Sequence, residues 1–119
     1  MSNAREIADA GHTLKAWVNF DGTNGFSTNP STSAIRASLN VDSILENATG
    51  DLTINFSSGV MPDGNYCAVA LAGQATGPGA HIMERHDSNI RTSSQLRIYT
   101  LNESYNAVDT KFVNLAFFR

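Results

Sequence analysis

From Leu14 the chain alternates. LKAWVNF sets Leu14, Ala16, Val18 and Phe20 on one side of an extended segment and Lys15, Trp17 and Asn19 on the other, the two-residue period of a strand half buried in a core. Trp17 falls with the polar set, so its large ring needs a second cover: a subunit partner or an overlying layer first, the domain's own core next, a receptor contact last. Asp21 to Ser33, DGTNGFSTNPSTS, then packs Gly, Asn and Pro into a long loop. AIRASLNVDSILENATGDLTINFSSG holds alternating segments around a turn at Asn47 to Gly50, with Leu52, Ile54 and Phe56 opposite Asp51, Thr53 and Asn55; this is the clearest hairpin signal.

After the turn at Pro62, Asp63 and Gly64, NYCAVALAG sets Cys67, Val69 and Leu71 against Tyr66, Ala68, Ala70 and Ala72. The small residues permit close packing on their side, and both faces are expected to be covered. GQATGPGAH is a glycine-rich connection, and 82–89 is too mixed to read as a strand, so an exposed loop is expected there. SQLRIYTL alternates Leu96 and Ile98 against Arg97 and Tyr99, and DTKFVNLAFFR sets Val113, Leu115 and Phe117 against Phe112, Asn114, Ala116 and Phe118. An uncovered strand of that last composition invites aggregation, so a central sheet position or a subunit interface is expected. About seven short strands separated by Gly, Pro and Asn turns predict an all-β domain, an antiparallel β-sandwich or partly closed barrel over 14–119. Residues 1–13 read as an anchor or a flexible start.

Composition narrows the class. At 119 residues the chain has the size of one domain, and twelve Asn, twelve Ser and ten Thr beside nine Gly favour turns and half-solvated strands over long helices. Eight Lys and Arg against eleven Asp and Glu give a net charge of −3, the wrong sign for general phosphate-backbone binding, and nucleic acid is not an expected partner. No apolar run is long enough to cross a bilayer, and MSNAREIADAGHTL lacks a basic start followed by an apolar stretch, so neither insertion nor classical secretion is expected. The single Cys67 excludes an intrachain disulfide and, among apolar neighbours, is expected to be buried.

Candidate chemistry is sparse. H81-I-M-E84-R-H86-D87 is the one dense polar cluster, but its spacing matches no metal or acid–base motif, and an exposed interaction loop is the stronger reading. Asp21, Asp63 and Asp109 flank strands, where carboxylates serve turns. No phosphate cradle, nucleophile elbow or cysteine pair is present, and no catalytic residue, metal or cofactor is expected.

The run L14-K-A-W-V-N-F-D-G-T, then A34-I-R-A-S-L-N-V-D-S-I, N47-A-T-G-D-L-T-I-N-F, M61-P-D-G-N-Y and the closing V113-N-L-A-F-F resemble a family of distal domains in bacteriophage tail fibre and related virion proteins, common among phages of marine bacteria. The resemblance spans about residues 11–119, with 27–33 longer than the minimal pattern and 73–95 without matching wording. It implies a β-rich homotrimeric virion module at a fibre tip or attachment site, and the leading expectation built on it is recognition of a host surface glycan or outer-membrane protein. The framework positions Trp17, Asn19, Phe20, Asp21, Gly22, Gly50, Asp51, Tyr66 and Phe118 carry over, with no active site among them. The subunit-interface candidates are Trp17, Tyr66, Phe112 and Phe118; loops 21–33 and 73–95 supply the receptor candidates Asn24, Phe26, Asn29, Arg85, His86 and Asp87. A structural virion role, as a capsid decoration or tail connector, is the alternative.

Overall fold

The alternation of 14–20 is realised as strand β1 (Leu14–Phe20) in a computed structural model that describes residues 13–74, 77, 79–85 and 91–119. Seven further strands follow: β2 (Ile35–Leu39), β3 (Val41–Ala48), β4 (Asp51–Phe56), β5 (Cys67–Gly73), β6 (His81–Glu84), β7 (Gln95–Leu101) and β8 (Phe112–Phe118). They form two four-stranded sheets, one in the order β2-β1-β8-β5 and the other β3-β4-β7-β6, with every pair antiparallel. The sandwich arm of the expectation therefore describes the chain; among the described residues the sheets stay separate rather than pairing into a barrel. The anchor or flexible role expected of 1–13 falls, apart from Thr13, outside the described residues.

One apolar layer lies between the sheets. Ala16, Val18 and Phe20 of β1 and Val113, Leu115 and Phe117 of β8 meet Ile44, Leu52, Ile54, Leu96 and Ile98 from the second sheet, the inward set that period-two alternation selects. At one end of this layer Phe56, Tyr66 and Phe117 pack edge to face, with ring centroids 4.8 to 5.8 Å apart, the geometry that ring quadrupoles favour. Leu14 was expected on the core side but is exposed, because the pairing of β1 with β8 shifts register between Leu14 and Ala16.

The chain changes sheet at Asn40, which separates β2 from β3 with a φ of 57°. Asparagine tolerates this left-handed conformation, and its side chain secures the corner by donating to the Lys15 carbonyl at 2.8 Å. The β3–β4 hairpin turns at the expected place. Gly50 there has a φ of 64°, and a Cβ on it would meet the Thr100 carbonyl oxygen at 2.6 Å and the Val108 nitrogen at 2.7 Å. β6 departs from the sequence reading, which expected a loop: its four residues pair with β7, His81 opposite Leu101 and Glu84 opposite Ile98. A mixed pattern suits an edge strand this short, since only Ile82 packs against the core.

The register fixes two ends. Phe118 is opposite both Leu14 and Cys67, and Thr13 exchanges backbone hydrogen bonds with Arg119, so Thr13 and Arg119 share one end. At the other end Phe20 is opposite Val113 and Ile35, Gly73 is opposite Phe112, and the Gly22 amide donates to the Thr110 carbonyl. Gly50 and Gly59 both have positive φ, but Gly59 has open space where its Cβ would be. Thermal unfolding should therefore separate them: Gly59→Ala costs about 1–2 kcal/mol of backbone strain, whereas Gly50→Ala adds overpacking and costs roughly 3 kcal/mol or more.

Candidate functional site

Residues that face away from the core in the first sheet make an apolar surface. Residues opposite one another in antiparallel strands point to the same side, so Trp17, Leu39 and Ala116 share the outer face, as do Phe118 with Cys67, Ala116 with Val69, and Phe112 with Gly73. Leu71 is 74% exposed and Val69 51%, with Phe112, Phe118 and Leu39 also exposed. Val69 and Leu71 stand as a ridge on β5. Between them and Trp17 on β1, across the small Ala116 of β8, runs an open groove of about 450 Å³ with Asn19 and Asn114 along it.

This arrangement corrects three expectations. Cys67 is exposed, not buried, because β5 turns its alanine side toward Ile82, Leu96, Ile98 and Leu115 and leaves Cys67, Val69 and Leu71 outside. Within the single chain, the outer face of β5 is therefore left uncovered. Tyr66 is 2% exposed and lies in the chain's own core, so it offers no surface to another subunit. Its hydroxyl donates to the Gln95 carbonyl at 3.2 Å, and burial pushes its ionisation up to about 12. Trp17, Phe112 and Phe118 do lie together on the outer face.

A transverse polar chain crosses the same face. Arg36 of β2 donates to Asn19 Oδ1 at 3.2 Å, the Asn19 amide donates to Asn114 Oδ1, and the Asn114 amide donates to the Leu71 carbonyl at 3.1 Å. Arg36 also donates to the Lys111 carbonyl and lies 4.7 Å from the centroid of the Phe112 ring. Arg36, Asn19 and Asn114 thus bond one another across three strands and reach the β5 backbone, which lowers the cost of removing them from water.

The outer face of the second sheet differs. Asp51, buried on that side, accepts from Arg97 at 2.8 Å through both carboxylate oxygens and is also paired with Arg85. Arg97 donation first, and the neighbouring positive charges with it, hold this carboxyl below its ordinary range. Arg85 further lies 5.1 Å from the Tyr99 ring centroid. Its place is therefore the sheet surface, bound into an ion network, while His86 and Asp87 lie outside the described residues.

The two candidate recognition loops share one end only in part: Gly73, opposite Phe112, and His81, opposite Leu101, lie at the end that holds 21–34. Segment 21–34 shares its end of the sandwich with the 48–51 turn and the 101–111 segment, through the bonds of Gly22 to Thr110 and of Gly50 to Asp109 Oδ1. Arg91, by contrast, lies near the opposite end, where its guanidinium donates to Glu84 and to the Tyr66 carbonyl. Within 21–34, Asn24 is exposed and Phe26 packs partly on the core. Asn29 pins the loop to β3: it donates to the Glu46 carbonyl at 2.8 Å and accepts from the Glu46 amide at 2.9 Å. Sequence reasoning missed Tyr105, 65% exposed at a φ of 62° and stacked on His81 at 4.9 Å. The aromatic within LNESYNA was its only signal.

Among the described residues, no group of three or more His, Cys, Asp or Glu is placed to hold a metal ion, and no helix is long and apolar enough to cross a membrane. No protein-family model, no curated protein and no solved structure matches the chain. Chemically, the arrangement offers apolar contact area on one sheet face and hydrogen-bonding side chains at one end.

The charge network gives a test. Asp51→Asn keeps the shape but removes the charge that pairs Arg97 and Arg85, and should cost about 2 kcal/mol in denaturant unfolding. Asp63, bonded to Arg119 and to the Asn65 amide, is lowered to about 2. Both aspartates are more acidic folded than unfolded. Their stabilisation is present above the unfolded value and is lost as pH falls through the folded one, which for Asp63 means from about 4 toward 2. The acid limb of the melting profile should flatten in Asp63→Asn, and an unchanged limb contradicts the assignment.

Proposed function

We propose that this chain is a non-enzymatic recognition module of a bacteriophage virion, a tail-fibre tip that contacts a host surface glycan or outer-membrane protein as a homotrimer. The sequence resemblance supplies the class, and the observation that carries the geometry is the polarity of the sandwich. Thr13 and Arg119 share one end, while segments 21–34, 48–51 and 101–111 gather at the other. A body held on a fibre through residues 1–13 presents the second end outward.

That end has suitable surface chemistry. Thr23, Asn24, Glu103, Tyr105 and Asn106 are exposed there, and the Tyr105–His81 stack presents an aromatic surface beside amide and hydroxyl groups. Such a set meets sugar hydroxyls or a polar protein loop through hydrogen bonds and ring contact. It sits on loops fixed by backbone hydrogen bonds to the sandwich, so little order needs to be gained on binding. Three copies would repeat a modest contact, and simultaneous engagement raises avidity by roughly 10²–10⁴ over one site.

The prediction concerns which end binds. Asn24→Ala combined with Tyr105→Ala should weaken attachment of the fluorescently labelled protein to phage-sensitive cells by about tenfold or more, the effect of ~1.4 kcal/mol. Thr92→Ala, near the opposite end, should leave it unchanged, with a phage-resistant strain as the background. Equal attachment of the double variant and the parent protein would sink this placement.

A further inference from the structure

We infer that the outer face of the β2-β1-β8-β5 sheet is the surface on which further copies of this chain dock, with the Val69–Leu71 ridge of one copy seated in the Trp17–Ala116 groove of the next. The inference deepens the assembled part of the proposed function by assigning the contact to a face and a register.

Area is the first argument. Three strands of seven residues and one of five, ~4.8 Å apart and rising ~3.3 Å per residue, make a face of about 410 Å² in plan. This lies within the ~300–600 Å² of the largest patch a soluble monomer leaves uncovered, and side-chain relief brings its accessible area toward the ~800 Å² per partner of a stable interface. The apolar surface is also continuous across all four strands, from Leu39 on β2 through Trp17 and Ala116 to Val69 on β5.

The second argument is what the face asks of an occupant. Arg36, Asn19 and Asn114 already bond one another and the Leu71 carbonyl, so a partner need not supply hydrogen bonds to them. Outward positions of these strands carry no carboxylate among the described residues. An occupant with apolar relief and few charges is therefore favoured over a basic or strongly polar one.

Shape identifies the occupant as the chain itself. Ridge and groove lie side by side on one surface: Leu71, the most exposed large apolar residue among those described, projects from β5, while Ala116 leaves a depression on β8 beside Trp17. Copies related by rotation can place each ridge in a neighbouring groove, the self-complementarity that closed assemblies require. Two copies close this contact face to face, and three close it around an axis.

The native Cys67 provides a direct probe, because it is exposed on this face opposite Phe118. Light scattering over a concentration series should find two or three times 12.8 kDa. Twice the mass upholds the docking face and rejects the trimer; three times upholds both; a monomer at every concentration overturns the inference while leaving the cell-attachment test standing. Leu71→Asp, at a site exposed in the single chain, should shift the mass to 12.8 kDa with unchanged far-ultraviolet circular dichroism. Alkylation of Cys67 should be slow in the assembled parent and fast in that variant. Fast alkylation in an assembled parent, or an assembly that persists in both Leu71→Asp and Val69→Lys, overturns the face assignment.

Discussion

Strand β8 is bound to two surfaces at once. Val113, Leu115 and Phe117 face the core, and their opposites, Phe112, Ala116 and Phe118, face outward. A strand of this composition cannot sit at an edge without exposing both its backbone and its apolar sides. Its place between β1 and β5 satisfies the backbone on both margins and puts the inward triad at the centre of the core. The outer residues gain no cover from that position. The apolar face, the groove over Ala116 and the exposed ridge on β5 all follow from a central strand that is apolar on both sides.

The same placement orders the rest of the sandwich. With β8 antiparallel to both neighbours, Thr13 and Arg119 meet at one end and the connections after β1 and β5 emerge at the other. The second sheet is held in register with that end by short contacts rather than by long side chains. Gly22 brings its amide to the Thr110 carbonyl, and Gly50 brings its backbone so close to Thr100 and Val108 that a methyl group has no room. Loop residues that read as free for recognition are partly spent on this work, and Asn29, doubly bonded to Glu46, is the clearest case. Under the proposed function, recognition falls to residues beyond those anchors, such as Asn24 and Tyr105.

Much of the fold was legible because alternation reports burial directly wherever one side of a strand is apolar and the other polar. β1, β4 and β7 follow their patterns, with Val18, Ile54 and Ile98 inside. Alternation is ambiguous when both sides are apolar. In β5 the larger Val69 and Leu71 point outward while the alanines face the second sheet, and Cys67 goes with the outward set. β6 escaped notice for the opposite reason, since HIME has one core-facing apolar residue and too few positions for a period to emerge. Tyr66 could pack or recognise on its sequence alone; only the neighbouring Phe56 and Phe117 rings assign it to the core. Arg85 lies beside two residues that made it look like part of a polar loop, yet its partner Asp51 is far away in the chain.

How the edges are finished bears on where a partner can act. β2 is short and carries Arg36 and Ser38, and β6 has four residues and leads into Arg85, features that discourage pairing of exposed backbone with another chain. β5 has no charged residue and bears the most exposed leucine. If backbone pairing at this edge were the natural association, the outer Trp17, Phe112 and Leu39 would stay uncovered, because they lie on the broad face of the sheet rather than along its margin. Face-on contact covers them together with Val69 and Leu71. It also leaves the Arg36–Asn19–Asn114 hydrogen bonds undisturbed, so the polar residues that cross this face resist neither burial nor a neighbour's approach. A face whose Arg36, Asn19 and Asn114 are already bonded while its apolar residues stay open packs against another apolar surface at little further cost to those three.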